Sequence, residues 1–217
     1  MGGSRGPPLG DLPALSVEIV NLDATLAEEL AEIERLCFPM ANPHDLLSAA
    51  DIRAYAEVFP EGYFVAMEDG RPVGQGAGIY LDFDFSHPRH TLAGITGDHQ
   101  CGNHDPKGAW YYGTDISVHP GSRGRGIGRM LYEARKNLVV RDRRGGIIAG
   151  ASLPGFFGYK SSMTAAEYVA KVVAGELTDP TLSFQLSNGF EVRGLLDNYI
   201  EDAADDGWAA LIVWEAQ

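Results

Sequence analysis

Apolar and polar positions alternate from Leu15 to Asn21, with Val17 and Ile19 on one side, and this period of two predicts a first strand. Asp23 stands where a helix cap is needed, ahead of an apolar stripe at helical spacing, Leu26, Leu30, Ile33 and Cys37. Pro39 and Pro43 end that helix. A second helix is predicted over Ala49–Val58, stopped by Pro60-Glu61-Gly62. Two apolar runs, Tyr63 to Glu68 and Arg71 to Phe85, flank Asp69-Gly70, a strong hairpin signal. Gly74, Gly76 and Gly78 fall on one side of the second run, and a bare face there permits close approach by a ligand or another backbone. His87 to Gly108 is a polar loop whose length marks it as functional rather than a mere connection.

Trp110 to Val118 reads as the next strand. It feeds the turn His119-Pro120-Gly121-Ser122-Arg123-Gly124-Arg125-Gly126-Ile127-Gly128 and then a periodic helix, Arg129 to Asp142. Gly146 to Ala151 is wholly apolar, as in a strand buried inside a sheet, and Leu153 to Ser162 is an aromatic and glycine loop. Thr164-x-x-Glu167 is a capping box for a helix running to about Ala174. Asp179-Pro180 opens another, with Asp at the cap and Pro in the first turn, and Gly189 closes it. Two final strands are predicted, Glu191 to Ile200 and Gly207 to Glu215. The order β, α, α, β, β, β, α, β, α, α, β, β implies a mixed α/β sheet covered by helices. Without an internal repeat or a linker, residues 14–217 read as one domain behind a Gly/Pro-rich leader, residues 1–13. The apolar last strand, Ala209 to Trp214, is a candidate to pair across a homodimer.

Composition changes little in this picture: 45% apolar and 22% charged residues belong to an ordinary globular protein. No apolar run approaches the ~20 residues that span a bilayer. The leader has no apolar segment of a secretory signal, and Gly6 stands where a myristoylation signal needs Ser or Thr. Cys37 and Cys101 form neither a metal-type nor a redox-type pair, which suits a reducing cytoplasm. Charge is more informative. The chain carries −13, which disfavours a nucleic-acid partner, yet His119 to Arg144 holds eight basic residues and two acids, a net +6 that leaves −19 elsewhere. A basic island on a strand–turn–helix junction suits a small polyanion, since first-turn amides lack helical partners and the helix dipole is positive there.

The turn matches neither the dinucleotide pattern nor a Walker A loop, because Gly124-x-Gly126-x-Gly128 has the wrong spacing for one and no Gly-Lys-Ser/Thr closes the other. Arg123-x-x-Gly126-x-Gly128 instead resembles the acyl-CoA-binding motif of the GNAT N-acetyltransferase superfamily. The resemblance extends to the strand ending Val118-His119-Pro120, to Leu131, and to Asn188-Gly189-Phe190 before the last two strands. The last third looks like a subgroup whose relatives are sometimes fused ahead of a carbon–nitrogen hydrolase domain; with the chain stopping at Gln217, no such domain is expected here.

The resemblance implies a mostly antiparallel central sheet of about seven strands flanked by helices, with acetyl-CoA as co-substrate and no metal. It implies that Arg123, Gly124, Arg125, Gly126, Ile127, Gly128 and Arg129 hold the pyrophosphate, and that Ile116, Ser117 and Val118 pair with the pantetheine. Many members carry a tyrosine four residues before the Gly of the Gly-Phe pair; here Gln185 stands there and cannot act as an acid. Near the expected thioester remain Tyr111, Tyr112, Thr114 and Asp115, with Tyr159 and Tyr168 farther along. Strict alternation puts Tyr112, Thr114 and Ile116 on one face and Tyr111 and Asp115 on the other. Asp115 and Tyr112 are the expected catalytic residues. His104, Asp105 and Tyr111 are the expected substrate contacts, with the histidine loop open between a lid and a plain solvated loop; it lacks the paired spacing of a zinc site. The acidic remainder favours a small cationic amine by steering. The expected activity is therefore acetyl transfer to a primary amine; a non-catalytic acyl-CoA-binding module is the alternative.

Overall fold

In the computed structural model, which describes residues 17–217, the alternating and apolar runs assemble into a seven-stranded sheet. The strands are β1 (Glu18–Asn21), β2 (Phe64–Glu68), β3 (Arg71–Leu81), β4 (Trp110–Val118), β5 (Gly146–Ser152), β6 (Glu191–Leu196) and β7 (Ala209–Glu215). Their order is β1-β2-β3-β4-β5-β7-β6, and every pairing is antiparallel except β4 with β5. The expected leader, residues 1–13, lies outside the described residues. The apolar strand β7 lies inside the sheet between β5 and β6, so its ladder positions are filled and it cannot pair across a dimer as expected.

Helices α1 (Ala27–Cys37), α2 (Ala49–Val58) and α3 (Leu92–Thr96) cover one face; α4 (Ile127–Arg141), α5 (Ala165–Val173) and α6 (Leu182–Ser187) cover the other. Their starts follow from local chemistry. Ser48 with Asp51, and Thr164 with Glu167, form reciprocal capping boxes at α2 and α5. Asp23 caps a short 3₁₀ turn, Ala24–Leu26, that leads into α1. Asp179 accepts from the amides of Thr181 and Leu182, so α6 begins at Leu182, two residues beyond Pro180.

Two features of β3 and β4 set the geometry around their junction with β5. The β3–β4 register slips at Ala77/Gly78, so Ala77 faces Asp115, Gly78 faces Gly113, and Thr114 is the extra residue of a bulge. A one-residue insertion inverts the face of everything after it. Tyr112 therefore shares the α1 face with Asp115, while Tyr111 packs on the α4 face with Ile116. This corrects the strict alternation, which put Tyr111 with Asp115. Of the β3 glycines, Gly74 admits the backbone oxygen of Ser117, 3.0 Å from its would-be Cβ, and the other two are covered by side chains. Gly76 lies under the guanidinium of Arg135 from α4, and Gly78 under the ring of Tyr111.

A Cβ on Gly78 would come within 2.2 Å of the Tyr111 ring. Gly78→Ala should therefore cost about 1–3 kcal/mol of stability, read as a lower urea midpoint at unchanged m. A variant within ~0.5 kcal/mol of the parent would show that the ring has room to move.

Candidate functional site

Strands β4 and β5 pair only at Tyr111–Ile147, Tyr112–Ile148 and Gly113–Ala149, and beyond Gly113 they separate. A cavity of about 100 Å³ occupies the gap and threads the sheet. Glu34, Phe38 and Leu46 line it from the α1 side; Tyr132, Arg135 and Gln185 line it from the α4 side; Thr114 to Ile116 and Ala149, Gly150 and Ser152 form its walls. The bulge makes the opening. Beside it, Arg135 Nη2 donates to the carbonyls of Ala77 and Asp115, at 2.8 Å for Ala77. Gly113, like Gly76, leaves room for that guanidinium, 3.4 Å from where its Cβ would lie.

On the α1 side two carboxyls are buried together, Asp115 at 8% exposure and Glu34 at 4%. Ser117 Oγ donates to Asp115 at 3.2 Å; the Tyr63 hydroxyl donates to Gln75 Oε1 at 2.6 Å, and Gln75 Nε2 donates to Glu34 at 3.0 Å. Burial pushes the Asp115 carboxyl up to about 6, against the pull of Glu34's hydrogen bond and Arg135's charge. Burial, and then the neighbouring Asp115 charge, raise Glu34 well above its ordinary value. Glu34 thus keeps the shared proton, and Asp115 is the member that ionises opposite Arg135.

The other end of the site is the turn into α4. Gly124 and Gly126 have φ of 76° and 83°, the left-handed region that favours glycine, and open space surrounds the position of each missing Cβ. Gly126 is the N-cap and supplies no side-chain bond, and the amides from Gly124 to Arg129 have no acceptor among the described residues. A row of unpaired amides at a helix start fits a pyrophosphate. Arg129 is exposed beside it, and Arg123 turns its Nε to the Val118 carbonyl at 3.1 Å. Arg125 is bound by Glu68 through both guanidinium nitrogens, which fastens the β2–β3 hairpin to the turn. Ile127 is buried, and Gly128 lets the Phe184 ring of α6 pack on α4, 2.8 Å from its would-be Cβ. Ile116 and Val118 send their side chains to the α4-side core and Ser117 its hydroxyl to the acid pair, so these three offer a ligand only the open backbone edge of β4.

The remaining expected residues lie away from the cavity. His104 stacks on Phe59 at 4.3 Å and accepts from the Tyr80 amide at 3.2 Å, and burial holds its imidazole below the ordinary value. Asp105 is exposed and caps the Lys107 amide. Tyr111 donates to the Gly62 carbonyl at 2.7 Å within the α4-side core, where burial pushes its phenol up to about 12. Tyr168 is spent on Asp179 at 2.9 Å. Tyr112 reaches the cavity only through the hydroxyl of Tyr199, 3.0 Å away, which lines it. Residues the pattern did not single out are Glu34, Arg135, Tyr132 and Tyr199. Glu34 carried a signal, an acid four residues after Leu30 on the apolar stripe of α1, where a charge has no reason to be unless partnered. Among the described residues, no group of three His, Cys, Asp or Glu is placed to hold a metal ion, and no helix is long and apolar enough to cross a membrane.

Comparisons with known proteins agree with this geometry. The model of the acetyltransferase (GNAT) family matches residues 27–143, more than half of the chain. The chain is 32% identical over 201 residues to the uncharacterized N-acetyltransferase YkwB of Bacillus subtilis, covering 92% of this chain and 89% of that one. It is 36% identical over 197 residues to the probable hydrolase YhcX of the same organism, covering 90% of this chain but only 38% of YhcX. Its fold is that of the loading GNATL domain of CurA from Lyngbya majuscula, with a TM-score of 0.81 at 20% identity, over 93% of this chain and 98% of that one.

The buried acid pair gives a pH signature. Both carboxyls bind protons more tightly folded than unfolded, so their contribution to stability is complete below pH ~4, and the share of Asp115 is lost as pH rises through about 6. Asp115→Asn removes that loss. The stability of the variant relative to the parent should rise between pH 4 and pH 7, read as urea midpoints. A difference that stays constant over that range would contradict the assignment.

Proposed function

The chain belongs to the acetyltransferase (GNAT) family, and from this premise we propose that it takes acetyl-CoA as its co-substrate and acetylates a primary amine of a small cationic molecule. One observation carries the proposal: the gap between β4 and β5 joins an uncapped helix start on one side to a buried, partly ionised acid pair on the other. We assign residues 14–217 to one catalytic domain, and the free Cys37 and Cys101 support a place in the reducing cytoplasm.

Acetyl-CoA supplies the thioester whose carbonyl carbon the amine attacks. The amides of Gly124 to Arg129 would hold its pyrophosphate with Arg123 and Arg129 alongside, and the open edge of β4 at Ile116 to Val118 would hold its pantetheine. From the α1 side, the Asp115 carboxylate would hold the ammonium and take the proton that the nitrogen releases as the amide forms. The approach is acidic as well: Asp45, Glu201, Asp202 and Asp206 line an outer groove that shares Asp45, Tyr199 and Ile200 with the cavity. Such a mouth attracts a cationic acceptor and disfavours an anionic one.

The test is acetyl-CoA consumption across polyamines, amino acids, aminoglycosides and peptide N-termini, with turnover expected for a cationic amine. Asp115→Asn should lower kcat/KM by about 10²–10⁴-fold at unchanged acetyl-CoA affinity. Gly126→Val, forced to φ 83°, should weaken CoA binding at least ~10-fold in a fold that still melts cooperatively. CoA binding without turnover of any amine would leave a non-catalytic acyl-CoA-binding module instead.

A further inference from the structure

Three side chains on the α1 face form a hydrogen-bonded row. His90, on the loop before α3, places Nδ1 2.6 Å from the Pro88 carbonyl oxygen and Nε2 2.6 Å from the Tyr112 hydroxyl. The Tyr112 and Tyr199 hydroxyls lie 3.0 Å apart. A carbonyl oxygen only accepts, so Nδ1 carries a hydrogen. In the neutral ring Nε2 then offers a lone pair, Tyr112 must donate to it, and Tyr112, having one proton, must accept from Tyr199. Protonating His90 reverses the row, and Tyr112 then donates to Tyr199. The two polarities differ by one proton at His90, which is the property a relay needs.

Both ends of the row are well placed. Tyr199 lines the cavity, and its ring packs on Gly150 of β5, where a Cβ would come within 2.4 Å of Cζ. His90 is half-buried among the rings of Phe83, Tyr112 and Tyr199, and burial holds its imidazole below the ordinary value. The charged neighbours on its own segment are engaged elsewhere, Arg89 with Asp197 at 3.7 Å and His87 with Asp84 at 2.9 Å. His90 therefore rests neutral near pH 7, with the row running from the cavity outward.

We propose that Tyr199, Tyr112 and His90 carry away the proton that a cationic acceptor loses before it attacks, an inference that rests on the amine reading above. An ammonium ion and an acetyl thioester give an amide, a thiol and one free proton. Two protons leave the nitrogen, one ends on sulfur, and one must leave the protein. In the step assigned to the row, an N–H bond of the ammonium breaks and its proton goes to the Tyr199 oxygen. The Tyr199 hydroxyl proton passes to Tyr112, and that of Tyr112 to Nε2 of His90. A neutral amine and an imidazolium result, and the imidazolium returns its proton to water. Tyr199 touches the acceptor; Tyr112 and His90 act through it as positioning residues.

The test is the pH profile of kcat/KM for an accepted amine in the parent and in His90→Gln, Tyr112→Phe and Tyr199→Phe. Each variant should lose about 10²-fold near pH 7, recover toward the parent above the pKa of the amine, and bind acetyl-CoA as the parent does. A loss equal at every pH, or no loss, overturns the relay and leaves the amine reading intact; a parent that turns over no amine overturns that reading. His90→Gln, at a half-buried site, serves if a buried tyrosine variant fails to fold. Side-chain ¹⁵N spectra of His90 give a readout without any acceptor: protonated Nδ1 with unprotonated Nε2 supports the relay, and the opposite tautomer overturns it.

Discussion

The contact on which the site depends is the guanidinium of Arg135 with the carbonyls of Ala77 and Asp115. A bulge in the middle of a sheet leaves backbone oxygens without ladder partners, and such oxygens are costly when buried. Arg135 satisfies two of them from beneath the sheet, and Gly76 and Gly113 leave the room it needs. With the oxygens bound, β4 can turn away from β5 after Gly113 without leaving them unpaired. The gap becomes a cavity, and the residue after the bulge, Asp115, points to the α1 face instead of the α4 face.

The same guanidinium sets the charge of the cavity. Two carboxyls buried side by side cannot both ionise in a low dielectric, and the Glu34 hydrogen bond and the Arg135 charge favour ionisation of Asp115. Burial and the Asp115 charge hold Glu34 well above its ordinary value against the pull of Gln75, and Asp115 is raised to about 6. Across the sheet the sign is opposite. The unpaired amides of the turn into α4, with Arg123 and Arg129, make an anion site a strand's length from the acid pair. The fold thus sets a row of unpaired amides and a pair of buried acids on opposite sides of one sheet and joins them through one gap.

The turn was legible because its chemistry is local. Glycines at Gly124 and Gly126, a helix beginning at once, and a crowd of arginines require no tertiary information to suggest a phosphate. The elements were legible for a related reason, since capping boxes, Asp-Gly turns and apolar periodicity act over a few residues. The ends of β3 and α6 were displaced because sheet pairing stops at Leu81 and because Asp179 reaches forward to cap from outside the helix. The three glycines of β3 were legible as a bare face, but not the identity of what covers it: Arg135, from a helix some sixty residues on, over Gly76, and residues of the neighbouring strand β4 over Gly74 and Gly78.

The sequence by itself therefore determined the family, the order of elements and the anion-binding turn, because these are written in short-range spacing. Only the tertiary structure decided which side chains meet in the cavity. One extra residue at Thr114 inverts the alternation, and no periodicity announces it. Glu34 joins Asp115 across 81 residues of chain, and Tyr199 joins Tyr112 across 87. Their proton affinities come from burial and from Arg135, which exist only once the sheet and both helical layers are packed.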